Sequence, residues 1–251
     1  MIRKLAAALS GYSGLVYPIS GESGEAATQA RISAALAPDD VWHFDDGDTQ
    51  GFLVVTPAYS ALIIRGTQVT TAFSIDDITR NFKTKLVGWV GRGKAHAGYA
   101  EGLGAVWSEV LPHLKRAPRP IYVGGHSLGG VTVTLAAALF DFDACYTFGA
   151  PKPGDDEFWQ NLLCPVYRFC HAWDIAPTWP PPFMGFSQGG ERWQISRPGR
   201  VVQRRAYPWE LLPLPIGPLR VLDHRTDEYT RKLETEDPGD LRRRRSGRGR
   251  R

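Results

Sequence analysis

Between residues 120 and 170, short apolar runs alternate with stretches long enough for helices, and this alternation restricts the fold more than any other feature of the chain. Residues 120–123, 144–148 and 166–170 read as buried strands, with helices expected over 128–140 and 155–163. Strand, helix, strand, helix, strand is the pattern of parallel βαβ units. Upstream, 51–57 and 60–65 read as an antiparallel pair around a turn containing Pro57 and Ala58. Helices are expected at 2–16, 24–36 and 97–116; the last carries Leu103, Val106, Trp107, Val110, Leu111 and Leu114 at helical spacing. A hairpin over 192–205 and a final helix over 224–234 complete the reading. Residues 72–95 have no strong periodicity, and 176–220, rich in proline and aromatics, stay unassigned.

A chain of 251 residues suits one α/β domain. With 43% hydrophobic and 22% charged residues it resembles a globular protein and excludes wholesale disorder. The unbroken apolar stretch at 135–140 is far short of the ~20 residues that span a bilayer. Three cysteines, an odd number, exclude a disulfide framework, and no Cys/His spacing resembles a zinc site. The net charge of +4 is local: residues 241–251 read LRRRRSGRGRR, and without them the 26 acidic residues outnumber the basic ones. The expected organisation is one domain over 1–236 and a disordered arginine-rich tail over 237–251, suited to anionic surfaces or nucleic acid. At the other end, Met1-Ile2-Arg3-Lys4 precedes an apolar run at 5–9. Ser10, Gly11, Ser13 and Gly14 then break that run before it reaches the length of a signal-peptide core. The expectation is a retained helix and a cytoplasmic location, with secretion left open.

Two segments match G-x-S-x-G, the serine motif that small neighbours allow on a strained strand-to-helix turn. Gly125-His126-Ser127-Leu128-Gly129 follows the β-like Ile121-Tyr122-Val123 and precedes a helix pattern, as such a turn requires. That helix has a local cost, because Val131, Thr132, Val133 and Thr134 are β-branched. Gly185-Phe186-Ser187-Gln188-Gly189 follows Pro180-Pro181-Pro182 and leads into no helix, so Ser187 is expected to be a loop serine. A serine hydroxyl needs a base to take its proton and a carboxylate to orient the base. In chain order Ser, acid, His, the acid candidate is Asp174, just past the strand at 166–170, and only His224 follows it. Asp155 and Asp156 look like acids at a helix N-terminus. Asp223 abuts His224 and is poorly placed to aim at it, His171 reads as structural, and His126 is expected to pack beneath the turn. Of the donors needed for a tetrahedral oxyanion, one is the Leu128 amide; Thr67, after Ile63-Ile64-Arg65-Gly66, offers a second.

Six ordered blocks then carry a family resemblance. They are Ile63-Ile64-Arg65-Gly66-Thr67, His96-Ala97-Gly98-Tyr99, Val123-Gly124-Gly125-His126-Ser127-Leu128-Gly129-Gly130, Thr147-Phe148-Gly149-Ala150-Pro151, Asp174-Ile175-Ala176-Pro177, and Asp223-His224 with Tyr229. Over about residues 49 to 230 the chain resembles the class 3, fungal-type lipases of the α/β-hydrolase fold. The resemblance implies a mostly parallel central sheet with helices on both faces and a metal-independent serine hydrolase that uses no cofactor and cleaves carboxylic esters of lipids. It also implies a triad of Ser127, Asp174 and His224, an oxyanion hole of Thr67 and Leu128, and a substrate that is an ester or lipid, met at a lipid surface. Two departures stand out. Gln188 occupies a place where many relatives carry histidine, and the lid position, 71–81, holds Asp76 and Asp77, with Phe73, Ile75, Ile78 and Phe82 as its candidate inner face. An acyltransferase or amidase built on the same serine, and a non-catalytic lipid- or nucleic-acid-binding protein, are the alternatives. Acyl chain length, the role of 207–216, pairing of Cys164 with Cys170, and oligomeric state are not legible.

Overall fold

The computed structural model describes residues 2–16, 25–46, 49–65, 85–204 and 223–235. Expectations for Thr67, the lid position at 71–81, the apolar stretch at 207–216 and the arginine-rich tail fall outside the described residues.

Eight strands form the main sheet, in the order β1-β2-β3-β6-β7-β8-β9-β10. Their ranges are β1 Asp40–Asp45, β2 Gln50–Val55, β3 Ser60–Arg65, β6 Ile121–His126, β7 Ala144–Phe148, β8 Val166–His171, β9 Glu191–Ile195 and β10 Val201–Gln203. The middle is parallel, from β3 through β6, β7 and β8 to β9. The flanks are antiparallel: β1 and β2 on one side, β10 on the other. A separate hairpin pairs β4 (Leu86–Gly88) with β5 (Lys94–His96).

Five helices are described: α1 Ile2–Leu15, α2 Glu25–Leu36, α3 Ala97–Arg116, α4 Leu128–Ala136 and α5 Thr226–Glu234. The period-two alternation of β3 divides the interior into two cores. Leu62 and Ile64 join Leu103, Val106, Val110 and Leu114 of α3 and Val133 of α4. Ala61 and Ile63 face the other way, toward Ala6 and Leu9 of α1 and Tyr229 and Leu233 of α5. Because β3 is buried on both faces, all six of its residues are inaccessible and it reads as a continuous apolar run. The α/β fold is therefore that of a mostly parallel sheet covered on both faces.

Two sequence expectations are corrected. The helix expected over 155–163 is a single 3-10 turn, Phe158–Asn161. The Asp155 carboxylate accepts the Phe158 N–H at 2.9 Å, and the Asn161 amide donates back to Phe158 O at 3.0 Å. These side-chain bonds satisfy the groups that a longer helix would have used. The helix after Ser127 ends at Ala136 rather than 140, although its β-branched core forms as expected. All nine of its residues are buried, and burial of a valine, worth ~1.5–3 kcal/mol, exceeds the few tenths lost in helix propensity. Strand β1 was not anticipated at all. The three cysteines are free, so Cys164 and Cys170 do not pair.

Candidate active site

Strand β6 ends in two glycines and a histidine, and the chain then turns abruptly into α4. Ser127 sits at that turn with φ 55° and ψ −125°, a conformation a non-glycine residue holds only when its surroundings impose it. Its amide donates to Phe148 O at 2.8 Å, fixing the turn to the end of β7. Gly125 is demanded by the closeness of the turn: a Cβ there would lie 2.5 Å from the carbonyl oxygen of Gly129. The Leu128 amide occupies the first position of α4, where backbone N–H groups lack intrahelical partners and point toward incoming negative charge.

The buried His224 ring links two other side chains. Its Nε2 is 2.8 Å from Ser127 Oγ, and its Nδ1 is 2.8 and 2.9 Å from the two oxygens of Asp174. An ionised carboxylate only accepts, so Nδ1 carries the proton and Nε2 is left to accept from the serine hydroxyl. Chain positions 127, 174 and 224 are thus brought into one hydrogen-bonded line at the carboxyl ends of β6 and β8. Ser187 takes no part. Its amide donates to Gly154 O and its carbonyl accepts from the Trp159 indole.

The contacts of several supporting groups were not recognised from the sequence. Tyr229 donates its hydroxyl to Asp174 Oδ2 at 2.6 Å and accepts the His171 N–H at 2.9 Å. The Ala176 amide donates to Asp174 Oδ1 at 2.9 Å, so both carboxylate oxygens have donors besides His224. Burial, then the charge of Asp174, holds the Tyr229 phenol well above its ordinary pKa, so it stays a donor. Gly149 lies against Asp174 and His224 with φ +60°. A Cβ there would fall 2.5 Å from Asp174 Oδ2 and 3.0 Å from His224 Nδ1. A glycine closing a strand beside the motif was the available signal for that role; Tyr229 belongs to the Asp223-His224 block, but nothing there shows that it reaches Asp174, 55 positions away.

His126 packs under the turn, its ring centroid 4.7 Å from that of His224. Its Nε2 donates to His224 O at 2.6 Å, and its Nδ1 accepts from the Thr226 hydroxyl at 3.1 Å. Burial drives its pKa well below the ordinary imidazole value, with the His224 charge acting in the same direction. The neutral ring therefore supports the backbone that carries His224. Gln188, noted in the sequence as a departure from the family's pattern, donates to Ala150 O and Pro177 O, both at 3.2 Å. It ties the loop after β7 to the loop after Asp174. Lys152 reinforces this joint through bonds from Nζ to Thr178 O and to Pro180 O, the latter at 2.6 Å. Burial, helped by Arg168, lowers its pKa to about 8. Among the described residues, no group of three or more His, Cys, Asp or Glu side chains is arranged to hold a metal ion, and none forms a helix long and apolar enough to cross a membrane.

Residues 61–184 match the family Lipase (class 3). Secreted mono- and diacylglycerol lipase 1 of Fusarium solani is 35% identical over 124 residues, which cover 42% of this chain and 35% of that protein. A lipase of Rhizomucor miehei is 33% identical over 120 residues, covering 41% of this chain and 33% of that one. The matched region thus spans about a third of the length of each of these relatives. Among solved structures, lipase II from Rhizopus niveus superposes with a TM-score of 0.65 at 20% identity, over 88% of this chain and 93% of its own. A triacylglycerol lipase whose catalytic centre is formed by a serine protease triad gives 0.64 at 22% identity, over 89% and 91%. These superpositions establish the α/β-hydrolase fold. Residues 61–184, just under half of the chain, thus match the class 3 lipase family, and they sit within an α/β-hydrolase fold.

Proposed function

We propose that the chain is a serine carboxylester hydrolase, acting on acylglycerols or related lipid esters through an acyl-enzyme on Ser127. The observation that carries this reading is the unbroken line from Asp174 through His224 to Ser127 Oγ, with 2.8 Å at each link. In the proposed reaction the Ser127 oxygen attacks the ester carbonyl as its proton passes to His224 Nε2. Asp174 holds the imidazole tautomer and stabilises the imidazolium that forms. His224 then gives that proton to the leaving alcohol, and a water molecule, activated by the same nitrogen, releases the acid. The oxyanion is assigned to the Leu128 amide, with Thr67 as the second donor. A buried site strengthens those hydrogen bonds relative to water.

The acylglycerol part of the proposal draws on the relative named a mono- and diacylglycerol lipase. Contact with a lipid surface, through the arginine-rich residues of 241–251, belongs to the same proposal, as does a single domain over 1–236. A location inside the cell is supported by three free thiols, while the relative's printed name includes "Secreted". Immunodetection in medium and cell lysate of a producing culture distinguishes the two.

The test compares wild type with Ser127→Ala on a soluble nitrophenyl ester and on emulsified mono-, di- and triacylglycerols. The variant should lose at least about 10⁴-fold in kcat, as nucleophile removal does in other serine hydrolases. Full activity in Ser127→Ala would end the proposal. Turnover of the nitrophenyl ester without release of fatty acid from any glyceride would restrict it to a soluble-ester esterase.

A further inference from the structure

His224 lies on a two-residue turn directly before α5, and the position of its ring depends on what holds that turn. Helix α5 has anchors of its own: Thr230 Oγ1 is 2.9 Å from Ser10 Oγ of α1, and Arg3 Nε donates to Leu233 O at 3.0 Å. These contacts fix the helix without reaching the turn. The turn is held instead by two buried imidazoles on successive carbonyls. His126, at the end of β6, takes His224 O. His171, at the end of β8, donates from Nδ1 to Asp223 O at 3.0 Å.

The second of these contacts is more than a backbone bond. The Asp223 carboxylate is itself buried, and its Oδ2 accepts the Trp173 N–H at 3.1 Å and Arg197 Nη2 at 3.2 Å. Trp173 immediately precedes the acid Asp174, and Asp223 immediately precedes the base His224. The Asp223 carboxylate therefore bonds the residue before the base to the residue before the acid. His171 does the same through its ring and its backbone: the ring holds Asp223, and the N–H holds Tyr229, which in turn holds Asp174. The His171 ring has no second hydrogen-bond partner at Nε2 among the described residues.

We infer that His171, Asp223 and Arg197 form a clamp that positions the catalytic base against the acid, so that they act on turnover through His224 without touching substrate. The inference rests on the proposed ester hydrolysis at Ser127, and a Ser127→Ala control separates the two. The clamp's members line a cavity of about 380 Å³ together with Arg225, Asp227, Glu228 and Lys232, with none of the three triad residues in its wall. A displacement of the base by about 1 Å costs on the order of 10²-fold in rate, and the clamp's hydrogen bonds oppose such a displacement.

The experiment uses the full chain and a soluble nitrophenyl ester. His171→Leu removes the donor and keeps an apolar bulk; His171→Asn restores an N–H near the place of Nδ1. His171→Leu should lower kcat about 10- to 100-fold with KM within about twofold, and His171→Asn should recover most of that loss. In a His224→Ala background, adding His171→Leu should change the residual rate by less than about twofold, since residues acting as one unit are not additive. Equal kcat in the Leu and Asn variants, or a further loss in the His224→Ala background, would overturn the clamp. So would a fall confined to KM. If His171→Leu does not fold, Arg197→Ala carries the test, because Arg197 is half exposed and lies outside the cores. Its kcat should fall about 3- to 10-fold, the loss of a bond to a charged group, at unchanged KM; wild-type kcat there would refute the proposal. Ser127→Ala with retained activity would instead remove the reading on which the clamp rests.

Discussion

Replacing Gly149 by alanine tests the site's geometry with a single methyl group. The added Cβ would sit 2.5 Å from Asp174 Oδ2 and 3.0 Å from His224 Nδ1, against ordinary contacts of 3.4 Å or more. The carboxylate would have to retreat by about 0.9 Å, and it is held at both oxygens by Tyr229 and Ala176. The Nδ1–Oδ2 separation of 2.8 Å would then open past the ~3.2 Å limit of a good hydrogen bond. Residue 149 also sits at φ +60°, which costs an alanine roughly 1–2 kcal/mol by itself. Loss of the orienting acid in comparable enzymes lowers kcat by about 10⁴-fold, so a partial opening should cost on the order of 10²–10⁴-fold. KM should change little, because the methyl group would press on Asp174 and His224. The backbone term alone should lower the melting temperature by about 2–8 °C for a chain of this size. Steady-state kinetics on a soluble ester, with melting followed by circular dichroism, give both numbers. A Gly149→Ala enzyme that melts lower but turns over like wild type would show that the Asp174–His224 contact does not govern the rate.

Tyr229→Phe removes a donor from Asp174 and strands the buried His171 N–H, so it should destabilise by about 2–4 kcal/mol in urea unfolding; a loss under 0.5 kcal/mol would mean neither bond matters. Lys152 supplies a pH dependence whose sign is fixed: its folded pKa, about 8, lies below its unfolded value. Between about pH 8 and 10.5 the unfolded chain binds more protons at this site, so the stability of wild type relative to Lys152→Met should rise with pH, by up to ~3 kcal/mol. Parallel curves for the two proteins would contradict that assignment. Ser187→Ala should keep wild-type kcat and KM, since the second G-x-S-x-G segment touches none of the triad; a 100-fold loss would reverse the choice between the two serines.

What was legible in the sequence follows from where each signal is stored. Strands β3, β6, β7 and β8 are buried on both faces, so each carries a short, mostly apolar run, and the βαβ order follows from them. Strand β1 was missed because Asp40 and Asp45 bound a short, partly exposed edge strand with only Phe44 fully buried. The segment at 155–163 imitates a helix, because Phe158, Trp159 and Leu162 recur at helical spacing. The Asp155 side chain decided otherwise by taking a backbone N–H. Within the site, the motif glycines and the chain order of Ser127, Asp174 and His224, which the fold brings into one hydrogen-bonded line, are local or ordinal signals. The grips of Tyr229 on Asp174 and of His126 on His224 O join residues 55 and 98 positions apart. Such contacts have no local signature, and only the folded chain displays them.

Mass-spectrometric mapping of the residue modified by a fluorophosphonate tests the central claim directly, because the probe forms its bond only with a serine whose proton is being removed. The account predicts one adduct per chain, on the peptide containing Ser127, and none in His224→Ala under the same exposure. An adduct on Ser187, or labelling at Ser127 that persists undiminished without His224, would contradict it.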